Sequence, residues 1–245
     1  MQPAERDKLL LVLAITSGSA DAWSYIGLGR AFVANMTGNT VLLGIAIFGE
    51  HHDILHPLIA LVFYAIGAAI GSFFTRRVIP DSIWDKSVSG VLFLEAILLI
   101  FSEAAWMRTA AAPSPSMTCA FLACIATAIG LQSGSMLSLK LPGIVTTYIS
   151  GTWTILVSGL VQMDRRRARL RENRANFEER LFIQITFLIT YFLSAVAAGC
   201  AFRYVPVAIG IITALPILIA AAYSSIREWG LAGQRQGGES ANQRK

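Results

Sequence analysis

Eight apolar windows divide this 245-residue chain, at residues 9–28, 32–48, 54–75, 88–107, 117–139, 144–162, 181–202 and 205–224. Most hold about the twenty residues that a helix needs to cross a bilayer core of roughly 30 Å. The second and sixth are short, as broken helices would be. Composition agrees: 55% of the residues are hydrophobic and only 14% are charged, where a soluble domain carries roughly a quarter. Mean hydropathy is +0.59. These features predict an all-α integral membrane protein, a helical bundle of about eight transmembrane spans, with six to eight compatible with the window lengths.

Within that apolar background residues 17–40 (SGSADAWSYIGLGRAFVANMTGNT) are polar and punctuated by glycine. Hydrocarbon offers no water to polar groups, so these side chains must face protein or an aqueous cavity. The pattern recurs. Ser133, Gly134 and Ser135 repeat Ser17, Gly18 and Ser19, Gly143 falls where Gly27 does, and Ser150, Gly151 and Thr152 answer Thr37, Gly38 and Asn39. Gly67 to Gly71 and Ala195 to Gly199 add a small-xxx-small pattern to the third and seventh windows, the kind that lets helices approach closely in a membrane. The sequence thus reads as one polytopic domain over residues 1–227, with repeat one at about 8–107 and repeat two at about 117–224. Four spans in each half would make the repeats parallel. Two polar, broken-helix segments in corresponding places point to a substrate pathway. Residues 228–245 are polar and glycine-rich and read as a disordered cytoplasmic tail.

Residues 164–180 carry seven arginines: Arg165, Arg166, Arg167, Arg169, Arg171, Arg174 and Arg180. The run joins two apolar windows and is interleaved with Glu172, Glu178 and Glu179, so it reads as a cytoplasmic loop that sets orientation, not a nucleic-acid patch. With six spans before it, both termini are expected in the cytoplasm. That scheme leaves Arg30, Arg76, Arg77, Lys86, Lys140 and Arg203 outside, and the adjacent Arg76 and Arg77 fit it poorly.

Asp21 is the sharpest candidate. It lies 13 residues beyond Lys8, which at 1.5 Å per residue is roughly 20 Å into the membrane, where a charge costs at least ~2.5 kcal/mol. Either it couples a proton or cation or touches substrate, or it pins helices together through Asn35, Thr37 or Asn39. The matching position of the second copy is Leu137. Glu95, at similar expected depth, would share a proton or cation with Asp21 if their helices were neighbours; otherwise it lines a crevice. Glu103 is expected near water beside Arg108. Thr37, Gly38, Asn39 and Thr40, with Ser150, Gly151 and Thr152, supply hydroxyls, an amide and flexible backbone. They serve either solute contact or close helix packing. His51, His52 and His56 share one loop, and the i, i+4 spacing of the last two could hold a metal; an exposed loop of ordinary histidines is the stronger reading, so no metal is assigned. Cys119, Cys124 and Cys200 lack ligand spacing and read as packing residues.

The early acidic residue among small ones, then Phe32-Val33-Ala34-Asn35-Met36-Thr37-Gly38-Asn39, and later Thr147-Tyr148-Ile149-Ser150-Gly151-Thr152, resemble the YoaK-like family of bacterial membrane proteins, a domain of unknown function. Ser150 stands where that family usually has threonine, and the hydroxyl is kept. The resemblance covers roughly residues 8–224. It implies a polytopic inner-membrane protein treated provisionally as a small-molecule transporter, with no catalytic residues to carry over.

An enzyme is not expected. No histidine lies within a window beside a nucleophile, and no phosphate-binding loop is present. The reading is therefore a transporter of a small polar solute, its pathway between the repeats and coupled to protons through Asp21. The alternative is a non-transport membrane protein that is structural, binds a partner or assists assembly. Lipid and solute are the expected partners, with a homo-oligomer left open, and neither nucleic acid nor cofactor is implied.

Overall fold

A computed structural model describes residues 3–49, 53–77, 85–109, 112–138, 149–167 and 174–242. Gly143, Thr147, Tyr148, His51, His52, Arg169 and Arg171 lie outside these residues. Among those described there are eight α-helices: α1 (Pro3–Gly27), α2 (Met36–Phe48), α3 (Leu55–Thr75), α4 (Lys86–Arg108), α5 (Pro115–Ser138), α6 (Ile149–Arg167), α7 (Arg174–Tyr204) and α8 (Ile209–Asn242). A short 3₁₀ turn, Pro206–Ala208, precedes α8. The helix α8 continues past the apolar window that closes at Ser224, as far as Asn242, through the segment that reads as a disordered tail in the sequence.

The chain is an all-helical membrane bundle. Six helices are long and apolar enough to cross a membrane, and two are short: Met36–Phe48 and the apolar part of α6, Ile149–Val161. Thirteen residues at 1.5 Å each cover about 20 Å, well short of the hydrocarbon core. Large apolar side chains such as Phe101, Phe192 and Ile226 project outward, as a lipid-facing surface requires. The long α1 and α5 are the most enclosed helices, joined through Gln132 Nε2, which donates to Ser17 Oγ at 3.0 Å.

Contacts at one end of the bundle fix the helix directions. Gly27, at the C-terminus of α1, lies against Phe202 of α7 and Trp106 of α4. Trp106 Nε1 donates to Pro206 O just before α8, at 2.7 Å, and its ring meets Phe121 near the start of α5. Gly29 packs on His56 at the start of α3, and His56 Nε2 lies 3.9 Å from Cys119 of α5. This end therefore gathers the C-termini of α1, α4 and α7 and the N-termini of α3, α5 and α8. At the opposite end Tyr223 of α8 reaches Glu5 of α1.

The parallel arrangement of two four-span halves is corrected by this geometry. It requires α1 and α3 to run the same way, and they run oppositely. The physical reason is the short α2. From Phe48 to Leu55 the chain takes seven steps, reaching at most about 25 Å, less than the roughly 31 Å length of α3. So α2 ends near the end of the bundle where α3 begins, the end at which α1 stopped.

Helix approach depends on glycine where backbones touch. A Cβ on Gly67, Gly71, Gly130 or Gly134 would strike main-chain atoms of the facing helix, which places α3 and α5 in backbone contact. On the other side Gly18 of α1 packs on the Tyr191 carbonyl and Ser194 of α7. The pattern from Ala195 to Gly199 does not serve this role, since a Cβ on Gly199 would meet nothing. One turn earlier, Ser194 makes the contact.

Candidate functional site

The site begins where α1 ends. Gly29 and Arg30 both adopt positive φ, 87° and 58°, a left-handed reversal that turns the chain back into the bundle. The returning segment presents three main-chain N–H groups in succession. Asp21 Oδ1 accepts all three, from Val33 at 2.9 Å, Ala34 at 2.6 Å and Asn35 at 3.3 Å. Its Oδ2 accepts from the Tyr191 hydroxyl at 2.5 Å. Of the two roles open to Asp21 in the sequence, pinning is thus visible, but the partners are main-chain groups and Tyr191, not the side chains of Asn35, Thr37 or Asn39.

Asn35 then caps α2. Its Oδ1 accepts from Gly38 N–H at 3.0 Å, satisfying one of the open donors of the first turn. A Cβ at Gly38 would press on Asn35 and Phe32 at 3.0 Å. Asn39 is buried and closes the loop in both directions: Oδ1 accepts from Phe32 N–H at 2.8 Å, and Nδ2 donates to Phe32 O at 2.6 Å. The Thr40 hydroxyl donates to Met36 O at 2.9 Å.

A cavity of about 580 Å³ opens at this point, lined by Asn35, Thr37 and Thr40 of the α2 entry, by Ile149 and Ser150 at the start of α6, and by Tyr64 and Tyr191 among others. None of the described lining side chains is charged. The first described turns of both short helices therefore border one space, and each turns the positive end of its dipole toward it.

Of the predicted residues, the structure brings Asn35, Thr37, Thr40 and Ser150 to the cavity wall. Asp21 supports that wall from behind. Gly38 and Asn39 shape the loop, Thr152 is buried one turn into α6, and Gly151 is not part of the lining. The pairing of Glu95 with Asp21 is not formed. Trp23 and Trp106 are in edge contact at 5.6 Å and set the level of α4 against α1. Glu95 lies eleven residues before Trp106, about 16 Å along the axis, while Asp21 lies two residues before Trp23. Glu95 is fully buried elsewhere in α4. Glu103 does not reach water beside Arg108; it is buried against Gly210 in the first turn of α8. His56 pairs with Asp53.

Tyr64 and Tyr191 were not singled out in the sequence. The available signal was a phenol in the middle of an apolar span, where the hydroxyl needs a partner.

Six long apolar helices around a polar, glycine-turned entry loop define a multi-pass helical membrane protein. The chain belongs to the family described as protein of unknown function DUF1275, whose sequence profile matches residues 9–223. It is similar to the UPF0700 transmembrane protein YoaK of Bacillus subtilis (strain 168), with 29% identity over 200 residues, 81% of this chain and 84% of that protein. No solved structure matches it.

Proposed function

We propose that the chain is an inner-membrane transporter of a small polar solute, with both termini cytoplasmic and the solute held between the two halves. The observation that carries this reading is the cavity of about 580 Å³ at the meeting point of α2 and α6. Among the described residues its wall offers an amide and hydroxyls without a charged side chain, chemistry suited to a solute that hydrogen-bonds and carries little charge to desolvate. Half-helix N-termini at a central site are the usual construction of secondary transporters.

Proton coupling through Asp21 would require a proton to exchange at Oδ2, beside the Tyr191 hydroxyl. A second reading takes the four donors around Asp21 as a fixed support, and makes the chain a non-transport membrane protein. Purified protein in liposomes, supplied with a panel of labelled polar metabolites with and without a pH gradient, separates the readings. Saturable uptake that depends on the protein supports transport, and its loss without the gradient supports coupling. Failure to move any solute favours the second reading.

A further inference from the structure

The two halves of the chain match each other in contact and in direction. Every packed pair of α-helices among the described residues has a counterpart when α1 to α4 are exchanged with α5 to α8. The pair α1 and α7 matches α5 and α3; α1 and α8 matches α5 and α4; α2 and α3 matches α6 and α7; α3 and α4 matches α7 and α8. The pairs α4 with α8 and α1 with α5 map onto themselves. Gly18 and Gly134, matched in sequence, occupy the same place in this scheme, each against a main-chain carbonyl of the partner helix, Tyr191 O and Ala68 O.

The directions reverse under that exchange. The C-terminus of α1 lies with the N-terminus of α5, and the C-terminus of α4 with the N-terminus of α8. The helices α3 and α5 run together, since Tyr64 faces Gly130 and Ser72 faces Gly134. Likewise Gly18 meets Tyr191 and Gly27 meets Phe202, so α1 and α7 run together. Each helix is thus opposite in direction to its counterpart. At the α6 side, Leu156 packs with Leu181 and Leu188 beside Ile149. Ile149 also shares the cavity wall with Tyr191, so α6 starts deep and runs back along α7 toward the end where α7 begins.

We infer that the chain is an inverted repeat of six crossings, in which α2 and α6 are re-entrant half-helices that enter from opposite membrane faces and meet at one cavity. The two-fold axis lies in the membrane plane. The inference stands apart from the transport reading, because it concerns where the chain runs and not what it moves.

Charge supports it independently. The described basic residues at the end where α1 stops are Arg30, Arg108 and Arg203. The other described lysines and arginines, Arg76, Arg77 and Lys86 included, lie on helix ends at the other end. That is a sharper positive-inside asymmetry than eight crossings allow, and it removes the misfit of Arg76 and Arg77. The arrangement also has a mechanical consequence. Two halves of one fold in opposite orientation can exchange conformations, which exchanges the face to which the shared cavity opens. The halves are chemically unequal, for Asp21 supports the first entry loop and Leu137 stands at the matching position of the second.

The test is the sidedness of single cysteines in the full chain, after its three native cysteines are replaced by alanine. Glu5→Cys, Ile54→Cys, Arg77→Cys and Arg108→Cys are each treated with a membrane-impermeant maleimide, in intact and in permeabilised cells. Gel filtration of each variant in detergent confirms that it is folded. Glu5→Cys and Arg77→Cys are expected to react only after permeabilisation, and Ile54→Cys and Arg108→Cys from outside. Eight crossings would instead place Arg77 outside, with Glu5, Ile54 and Arg108 all inside. Labelling of Glu5→Cys and Arg77→Cys on opposite sides overturns the inference.

Discussion

The Tyr191 hydroxyl of α7 donates to Asp21 Oδ2 of α1 at 2.5 Å, behind the wall of a cavity that both halves of the chain enclose. The bond joins residues 170 positions apart. Through Asp21 it ties α7 to the three main-chain donors that lead into α2. A hydroxyl on a cavity wall and a carboxylate behind it form one unit, so changes at either residue are felt at the entry of α2.

Tyr191→Phe isolates the hydroxyl. The carbonyl of residue 191 stays against Gly18, and Asp21 keeps its three main-chain partners. A hydrogen bond to a charged group contributes about 1.5–3 kcal/mol in water-soluble proteins, and bonds between membrane helices average nearer ~0.6 kcal/mol. The expected loss is about 1 kcal/mol, measured by denaturant titration of the protein in detergent. A loss no larger than the scatter of the titration would show that Tyr191 does not hold the loop.

Asp21 should tolerate one substitution and not another. In Asp21→Asn the amide oxygen can accept from Val33, Ala34 and Asn35, while the amide nitrogen donates to Tyr191. That variant should insert and fold. Asp21→Leu leaves three N–H groups and a phenol without acceptor, at ~1–3 kcal/mol each, and should accumulate poorly in membranes. If transport is established, full gradient-dependent uptake by Asp21→Asn would reject coupling through this residue and leave its supporting role intact.

How far the sequence disclosed this site depends on where the information sits. Asp21, Asn35, Thr37 and Ser150 were legible because a polar side chain in an apolar window demands a reason. The partners of Asp21 were not legible, because main-chain N–H groups have no residue type. The direction of the halves was misread at α2. Its window is visibly short, but counting it as a crossing made each half even and the repeats parallel. Only the contacts of Gly27, Gly29 and Trp106 reveal that the chain comes back to the same end. The interval from Ala195 to Gly199 misled differently. Small residues permit close approach without compelling it, and here the approach falls at Ser194.

Glycine substitutions separate permission from necessity. A Cβ on Gly134 would overlap the Ala68 carbonyl of α3, a main-chain atom that cannot swing away. Gly134→Val should therefore force α3 from α5 and cost several kcal/mol, as severe overpacking does (typically ~1–3 kcal/mol even where side chains can adjust). Gly199→Ala meets open space and should be neutral or slightly stabilising, by about 0.5–1 kcal/mol of helix propensity. Thermal unfolding of both variants in detergent provides the comparison. Equal behaviour would contradict the glycine seam between α3 and α5.

Outside the membrane, Asp53 gives the start of α3 a pH dependence. Its Oδ1 accepts from Leu55 N–H at 2.9 Å and from His56 N–H at 3.3 Å, and its Oδ2 pairs with the His56 ring. Partial burial works to raise the pKa of this carboxyl, but the His56 ring and these N–H groups outweigh it and hold the pKa below its ordinary value. The unfolded chain then takes up the proton first as pH falls. The stabilisation is complete above the unfolded value of about 4 and is lost as the pH drops through the lower native value. Asp53→Asn should flatten the acid limb of stability against pH, and Asp53→Ala should cost about 0.5–2 kcal/mol at neutral pH. An unchanged acid limb in Asp53→Asn would mean that the pair does not form in solution.

The cavity itself offers the most direct test of the transport reading. Thr37 and Ser150 line it from opposite halves, and both are exposed to it. A tryptophan at either position fills space without touching the Asp21 cluster or the seam between α3 and α5. Thr37→Trp and Ser150→Trp should therefore fold normally and lose solute uptake almost completely, whereas Thr37→Ser, which keeps the hydroxyl, should retain it. Val161→Trp, on an exposed position of α6 away from the cavity, is the control for the bulk of the ring alone. The two cavity variants should fail alike, because one solute must pass both half-helix N-termini. Uptake that survives in Ser150→Trp but not in Thr37→Trp would place the pathway along α2 alone, and uptake that survives in both would remove it from this cavity.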